Sequence, residues 1–289
     1  MLPAPFEYHR PDTLEEALQL LAEHGEDAKV LAGGQSLIPL MKLRFAAPAR
    51  LIDVNRIAGL DSINEAGGFL RIGALVRHNA LADSDVIKQR YPTIATAAPM
   101  ISDPIVRNLG TIGGSLAHAD PSGDLGSVML ALGATIVVRS KDGEREIAAA
   151  DLAEGPFQSS IAPNELLTEI RVPSPPTRSG GTYLKLERKV GDFATVAAAI
   201  FLTLENGSVA RAGIGLTSVG LTNLKPEAAE AALSGASPGE DAWAEAGRLA
   251  AEAAQPSTDV RGSAEYKKHV VDVYVRRGLA AAAEMAGAA

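Results

Sequence analysis

The chain has 289 residues, 46% of them hydrophobic and 21% charged, with a formal net charge of −8 and no cysteine. That length leaves room for about two domains, and the acidic balance argues against nucleic acid or an anionic membrane surface as the main partner. Without cysteine there is no disulfide, no thiol nucleophile and no Cys-ligated iron–sulfur cluster. The histidines (His9, His24, His78, His118, His269) are scattered with no HExxH pair, so no zinc site is expected.

The first helix is signalled by a capping box, Thr13 with Glu16, followed by a stripe of Leu14, Ala17, Leu18 and Leu21, with Gly25 placed to end it. "AKVLA" (28–32) reads as a short buried strand, and the turn after it leads to a helix that Ser36 can cap, with Pro39 in its first turn. "RLIDV" (50–54) is a second strand, which makes the N-terminal stretch a small β-α-β unit with parallel strands. Strand 67–75 and helix 93–101 follow. A further helix is expected from Asp120 as N-cap and Pro121 as first residue to Gly133. Residues 135–148 look like a hairpin turning at Asp142-Gly143, and 165–172 like one more strand.

"PSPPTRSGG" (173–181) is the best domain boundary in the chain. Beyond it, antiparallel strands turn at Asn206-Gly207, Ser237 with Glu240 opens a helix, and a last helix spans about 263–283. The fold class expected is α+β. No apolar run reaches the roughly 20 residues that span a bilayer. "MLPAPFEYHRPD" lacks the basic and apolar regions of a signal peptide, so a cytoplasmic protein is the expectation.

Two glycine turns carry the chemical signal: "AGGQS" (32–36) and "TIGGS" (111–115). Adjacent glycines let backbone N–H groups approach an anion closely, and a helix start adds unpaired donors. Neither turn is a P-loop, since no Gly-Lys pair exists in the chain. Neither is a GxGxxG fingerprint, and GxSxG is also missing. A single turn of this kind can equally be a tight strand–helix connection that binds nothing. A pair, with Asp124 downstream as a carboxylate for sugar hydroxyls, suits a dinucleotide with two phosphates. His118 and Asp120 do not make a hydrolytic triad, because no nucleophile elbow accompanies them. Arg107 and Asn108, just before the second turn, either brace it or face a partner subunit.

"AGGQSLIPLMKLR", "DPIVRNLGTIGGSLAHADPSGDL" (103–125) and "YLKLERKVGDFATVAAAI" (183–200) together resemble the FAD-binding medium subunit of molybdenum hydroxylases, most of all the carbon monoxide dehydrogenase type. The likeness runs from "FEYHRP" (6–11) to the C-terminal helix. It implies the flavin fold shared with the vanillyl-alcohol oxidase group and the xanthine dehydrogenase flavin domain. In that fold, residues 1–176 bind FAD (subdomains of about 1–57 and 58–176), and 177–289 form a C-terminal flavoprotein domain. The resemblance implies that Ala32, Gly33, Gly34, Gln35 and Ser36 wrap the diphosphate, with Lys29, Val30 and Leu31 along its edge. Thr111, Ile112, Gly113, Gly114 and Ser115 take its other side and the ribityl chain, and Asp124 is an acidic FAD position. Ile101 and Leu167 line the flavin or adenine pocket, and Lys185 lies near the ring, where a cation favours the reduced, anionic flavin. Two positions depart from relatives: Gln35 stands where His is common, and Phe193 replaces the Tyr of a "GDYA" motif.

The function so implied is electron transfer: FAD in this chain takes electrons from [2Fe–2S] clusters of a small partner subunit and passes them to an external acceptor. The molybdenum cofactor sits in a large partner subunit, and the assembly is a dimer of heterotrimers. No residue of this chain is expected to touch the molybdenum substrate, and the absence of cysteine fits clusters held elsewhere. Two alternatives stay open at this stage: a self-contained flavin oxidoreductase of the same fold, and a cofactor-free assembly subunit.

Overall fold

A computed structural model describes residues 2–287. Strand β1 (Glu7–His9), helix α1 (Leu14–His24), β2 (Ala28–Leu31), α2 (Leu37–Lys42) and β3 (Arg50–Asp53) form an N-terminal layer. Its sheet has the order β1-β3-β2 with both pairings parallel. The expected β-α-β unit is there, joined by an edge strand, β1, that three residues of sequence do not announce. Thr13 caps α1 as read, its hydroxyl accepting from the Glu16 N–H at 3.2 Å, and Gly25 ends it at φ +49°.

The middle layer starts with the hairpin β4 (Ile63–Ala66) and β5 (Phe69–Gly73), turning on Gly67 and Gly68 at φ +61° and +82°. Short helices follow: α3 (His78–Asp83), α4 (Asp85–Arg90), α5 (Pro92–Ala97), α6 (Pro104–Leu109), α7 (Ile112–His118) and α8 (Asp124–Leu132). Then come β6 (Thr135–Ser140), β7 (Gly143–Ala148), the small pair β8 (Ala153–Gly155) and β9 (Gln158–Ser159), and β10 (Leu166–Pro173). The main sheet is antiparallel, in the order β4-β5-β10-β6-β7.

The C-terminal layer has β11 (Ser179–Leu186), β12 (Val196–Glu205) and β13 (Ser208–Thr217) in one antiparallel sheet, then α9 (Glu227–Leu233), α10 (Glu240–Ala253) and α11 (Ala264–Gly287). Strand β12 is apolar along its length because both of its faces are covered. Ala197, Ala199 and Phe201 join the core of the middle layer, while Ala198, Ile200 and Leu202 join the core under α10 and α11. Close approach needs small residues. A Cβ on Gly213 or Gly215 would overlap the carbonyls of Ala131 or Ser127 on α8, so a period of two on the strand meets one turn of helix.

Several local expectations shift. Helix α8 begins at Asp124, because Asp120 instead closes an Asx turn by accepting from the Ser122 N–H at 2.8 Å. Helix α5 stops at Ala97, and Pro99 lies in a 3-10 turn. The hairpin at 140–143 turns on Lys141-Asp142, since Ser140 pairs with Gly143. Neither turn residue has positive φ, so the type I′ geometry that an Asp-Gly turn favours is not formed there. At Asn206-Gly207 it holds, with φ +50° and +80°. Helix α10 starts at Glu240 with Gly239 before it, not at Ser237, and the last helix runs on to Gly287.

Candidate functional site

Strands β2 and β3 end side by side, Leu31 opposite Asp53, and the first glycine turn leaves from that edge. Gly34 sits at φ +72°, where a side chain is strained. Ser36 enters α2 through its backbone: Leu40 N–H donates to Ser36 O at 3.1 Å, and the hydroxyl caps nothing. Among the described residues, the backbone N–H groups of residues 33 to 37 donate to no protein acceptor. A run of unpaired donors on a glycine turn is what an anion's oxygens require.

The second glycine turn is built differently, and it is not a loop. Thr111 is the N-cap of α7, its hydroxyl accepting from the Gly114 N–H at 3.1 Å. The neighbouring N–H groups are also spent inside the protein: Ile112 on Val76 O, Gly113 on Ala74 O and Ser115 on Thr111 O, at 3.0, 2.9 and 3.0 Å. Gly113 has no room for a side chain, because its Cβ would lie 2.6 Å from that of Ala74. Gly114 is exposed, and a Cβ there would reach Ala32 Cβ at 3.9 Å. A Cβ on Gly33 would overlap Leu109 O and come within 2.8 Å of Gly110 Cα. The two turns therefore face each other with backbone against backbone. The first supplies donors, and the second supplies a bare glycine wall.

The other predicted residues fall into four groups. Lys29 is exposed on β2, with Val30 and Leu31 half-buried beside the first turn. Ile112 and Leu167 belong to the core of the middle layer and present almost no surface. Ile101 is half-buried, and Arg107 holds its loop by donating to Ile101 O and Ser102 O, both at 2.9 Å. Arg107 thus braces the 101–102 loop rather than the second turn. Asn108 pairs with Asn79, which also accepts from Arg107 Nε at 3.1 Å. Gly191, at φ +85°, rests against Ser102 O, and this places the "GDFA" loop next to Ile101 with Phe193 55% exposed.

Asp124 and Lys185 meet in a closed cluster. Asp124 accepts from the Tyr183 hydroxyl at 2.6 Å and from Lys185 Nζ at 3.1 Å, and Lys185 also donates to Met100 O at 2.9 Å. Glu187 Oε2 lies 3.6 Å from the same nitrogen. Burial raises the Asp124 carboxyl above the ordinary aspartate range, against the pull of Lys185 and Tyr183, and burial beside Asp124 raises the Tyr183 phenol well above its usual value. Lys185 is therefore not a free cation: two carboxylates surround it. His118 stacks on Phe157 at 5.1 Å and Asp120 serves its own turn, so neither joins a catalytic triad. Among the described residues, no group of three or more His, Asp or Glu can hold a metal ion, and no helix is long and apolar enough to cross a membrane.

Sequence reading passes over Asn55, Arg77, His78 and Tyr183. Asn55 Nδ2 donates to Ala32 O at 2.8 Å, at the root of the first turn. Arg77 donates to Asn55 Oδ1 at 2.7 Å and to Leu109 O at the root of the second. His78 is buried under Gly110. None of these lies in a glycine motif. The sequence signals are that Tyr183 opens the third quoted motif and that Asn55 follows the predicted strand 50–54 directly.

The family model described as "FAD binding domain in molybdopterin dehydrogenase" matches residues 4–175, and that of the "CO dehydrogenase flavoprotein C-terminal domain" matches 181–282. The chain is 43% identical to the carbon monoxide dehydrogenase medium chain of Afipia carboxidovorans, over 96% of this chain and 97% of that one. It is 42% identical to the alpha subunit of the 6-hydroxypseudooxynicotine dehydrogenase complex of Paenarthrobacter nicotinovorans, over 98% and 96% of the two chains. Its fold superimposes on carbon monoxide dehydrogenase from Hydrogenophaga pseudoflava with a TM-score of 0.95 at 43% identity, covering 99% of both chains. The donor row and glycine wall suit the FAD that this family carries. The chain belongs to the FAD-binding medium-subunit family of the molybdenum hydroxylases, of the carbon monoxide dehydrogenase type.

Proposed function

We propose that this chain is the electron-transfer subunit of a heterotrimeric molybdenum hydroxylase, assembled as a dimer of heterotrimers. It takes electrons from the [2Fe–2S] clusters of a small subunit and passes them to an external acceptor. The observation that carries this reading is the opposed pair of glycine turns, with unpaired N–H donors at residues 33 to 37 and a side-chain-free wall at Gly113 and Gly114. FAD supplies the step between one-electron and two-electron carriers when bound. The residues of this chain hold and surround it. Residues 33 to 37 take the diphosphate oxygens, Thr111 to Ser115 close over it, and Ile101 and Phe193 flank the ring. Leu167 and Ile112 act from beneath, as packing under β10 and α7. Lys185 and Asp124 act as a buried pair at the ring end, where Lys185 shares its charge with two carboxylates. The division at the 174–178 linker, into 1–176 and 177–289, is part of the same reading.

Among the described residues, the carboxylate and lysine at the ring end, Asp124 and Lys185, are paired with each other rather than left as a free acid–base pair. Medium subunits of enzymes named for carbon monoxide and for 6-hydroxypseudooxynicotine match it almost equally well, at 43% and 42% identity. Both facts favour a subunit that serves the holoenzyme without touching its substrate, which places substrate choice in the large subunit. The purified chain should take up FAD and turn yellow. Its flavin should be reduced by a reduced iron–sulfur partner, and not by carbon monoxide or N-heterocycles added to the chain alone. A colourless protein that binds no FAD would overturn the reading, and turnover of a small substrate by the lone chain would replace it with a self-contained oxidoreductase.

A further inference from the structure

Neither glycine turn contains a lysine or arginine, yet a diphosphate brings two negative charges to them. One organised cation, Arg77, lies outside both motifs and donates at their roots. Its Nη2 donates to Asn55 Oδ1 at 2.7 Å, and its Nη1 donates to Leu109 O. Asn55 in turn donates to Ala32 O at 2.8 Å and to Asp53 Oδ1 at 2.7 Å, and Asp53 is fixed by the Tyr8 hydroxyl at 2.6 Å. A continuous hydrogen-bonded chain thus runs from β1 through β3 to the roots of both turns. The Leu109 carbonyl is also the atom against which Gly33 packs. Without a donor, that carbonyl dipole would present its negative end beside the donor row of the first turn.

We infer that Arg77 and Asn55 are positioning residues for the flavin diphosphate: a staple that locks the two turns at one separation and neutralises the Leu109 carbonyl next to them. This rests on the reading that the two turns hold FAD. The planar guanidinium suits the task because it reaches two acceptors in one plane, which a lysine cannot do. The main chain around it is zipped to the second turn as well: Arg77 pairs with Thr111, and His78 N–H donates to Gly110 O at 3.1 Å. Movement of Arg77 therefore moves that turn.

The test uses the full chain, stripped of flavin, with FAD and with ADP as a diphosphate probe lacking the ring. Arg77→Met and Asn55→Ala should each weaken FAD by about tenfold or more, the scale of a hydrogen bond to a charged group. ADP should weaken by a similar factor, while the apo-protein melting temperature stays within about 1.5 °C of the parent, which for a chain of this length is under about 1 kcal/mol. The double variant should be no more than about twofold weaker than the weaker single one, because both cut one chain of bonds. Arg77→Lys should recover only part of the affinity. Gly33→Leu is run alongside and should abolish FAD binding. If Arg77→Met binds FAD within twofold of the parent while Gly33→Leu does not bind, the staple is wrong and the two-turn reading stands. If Gly33→Leu binds normally, the two-turn reading itself falls. If Arg77→Met lowers the melting temperature and leaves FAD and ADP affinity alone, Arg77 is a fold residue and the inference is overturned.

Discussion

Gly33 and Leu109 touch backbone to backbone: a β-carbon on Gly33 would overlap the Leu109 carbonyl oxygen, and Gly110 Cα lies 2.8 Å from the same point. The obstruction is main chain on both sides, and no rotamer change relieves it. Gly33→Ala should therefore push the two turns apart at a cost of about 2 kcal/mol, equivalent to about thirtyfold in FAD affinity. Gly114→Ala should cost less, because its Cβ would meet the Thr111 hydroxyl at 2.8 Å, and a side-chain hydroxyl can move. Flavin titration of the two variants checks the order, and equal losses would show that the first turn is not the tighter jaw.

The Asp124–Lys185 pair is buried, with side-chain exposures of 8% and 1%. Removing one partner of such a pair leaves an uncompensated charge and costs about 3–5 kcal/mol. Lys185→Met and Asp124→Asn should each lower the unfolding free energy of the apo-chain, read by urea titration, by that scale. The double variant should lose less than the sum, because neither charge is then stranded. Additive losses would mean that Lys185 is supported mainly by Met100 O and Glu187 rather than by Asp124.

His78 is 5% exposed, its Nδ1 has no partner, and burial together with Arg107 and Arg77 lowers its pKa to about 4. The folded state thus binds its proton more weakly than the unfolded state, where the value is about 6.5. Stability should be full above pH 6.5 and fall as pH drops from 6.5 to 4, by at most about 3 kcal/mol from this group. His78→Gln removes the titration and should flatten that part of the curve. Urea unfolding at pH 7 and pH 4.5 in both proteins measures the difference, and parallel pH profiles would show that His78 is not the source. Because Gly110 packs on the His78 ring, FAD release should steepen over the same pH range in the parent alone.

Features that depend on short-range chemistry were legible before any coordinates. The Thr13 cap, the Asn206-Gly207 turn and the two glycine turns each follow from a few adjacent residues. Three ordered motifs, read together, pointed to the flavin family that the full-length matches then showed.

What only the tertiary structure decided were the relations between distant segments. Gly113 and Gly114 are poor helix formers, so "TIGGS" reads as a loop. It is the start of α7 because Ala74 and Val76 accept its N–H groups, and Ala74 closes off the Gly113 side. The same bonds consume the donors that the sequence appears to offer, leaving the first turn as the donor and the second as the wall. Arg77 and Asn55 meet the roots of both turns only because β2 and α6 bring Ala32 O and Leu109 O within reach of that pair of side chains. Lys185 looks like a free strand lysine in sequence, and the fold encloses it between two carboxylates. Propensity and turn chemistry act over a few residues and can be read in order along the chain. Hydrogen-bond satisfaction and charge compensation act through space, and the fold assigns their partners.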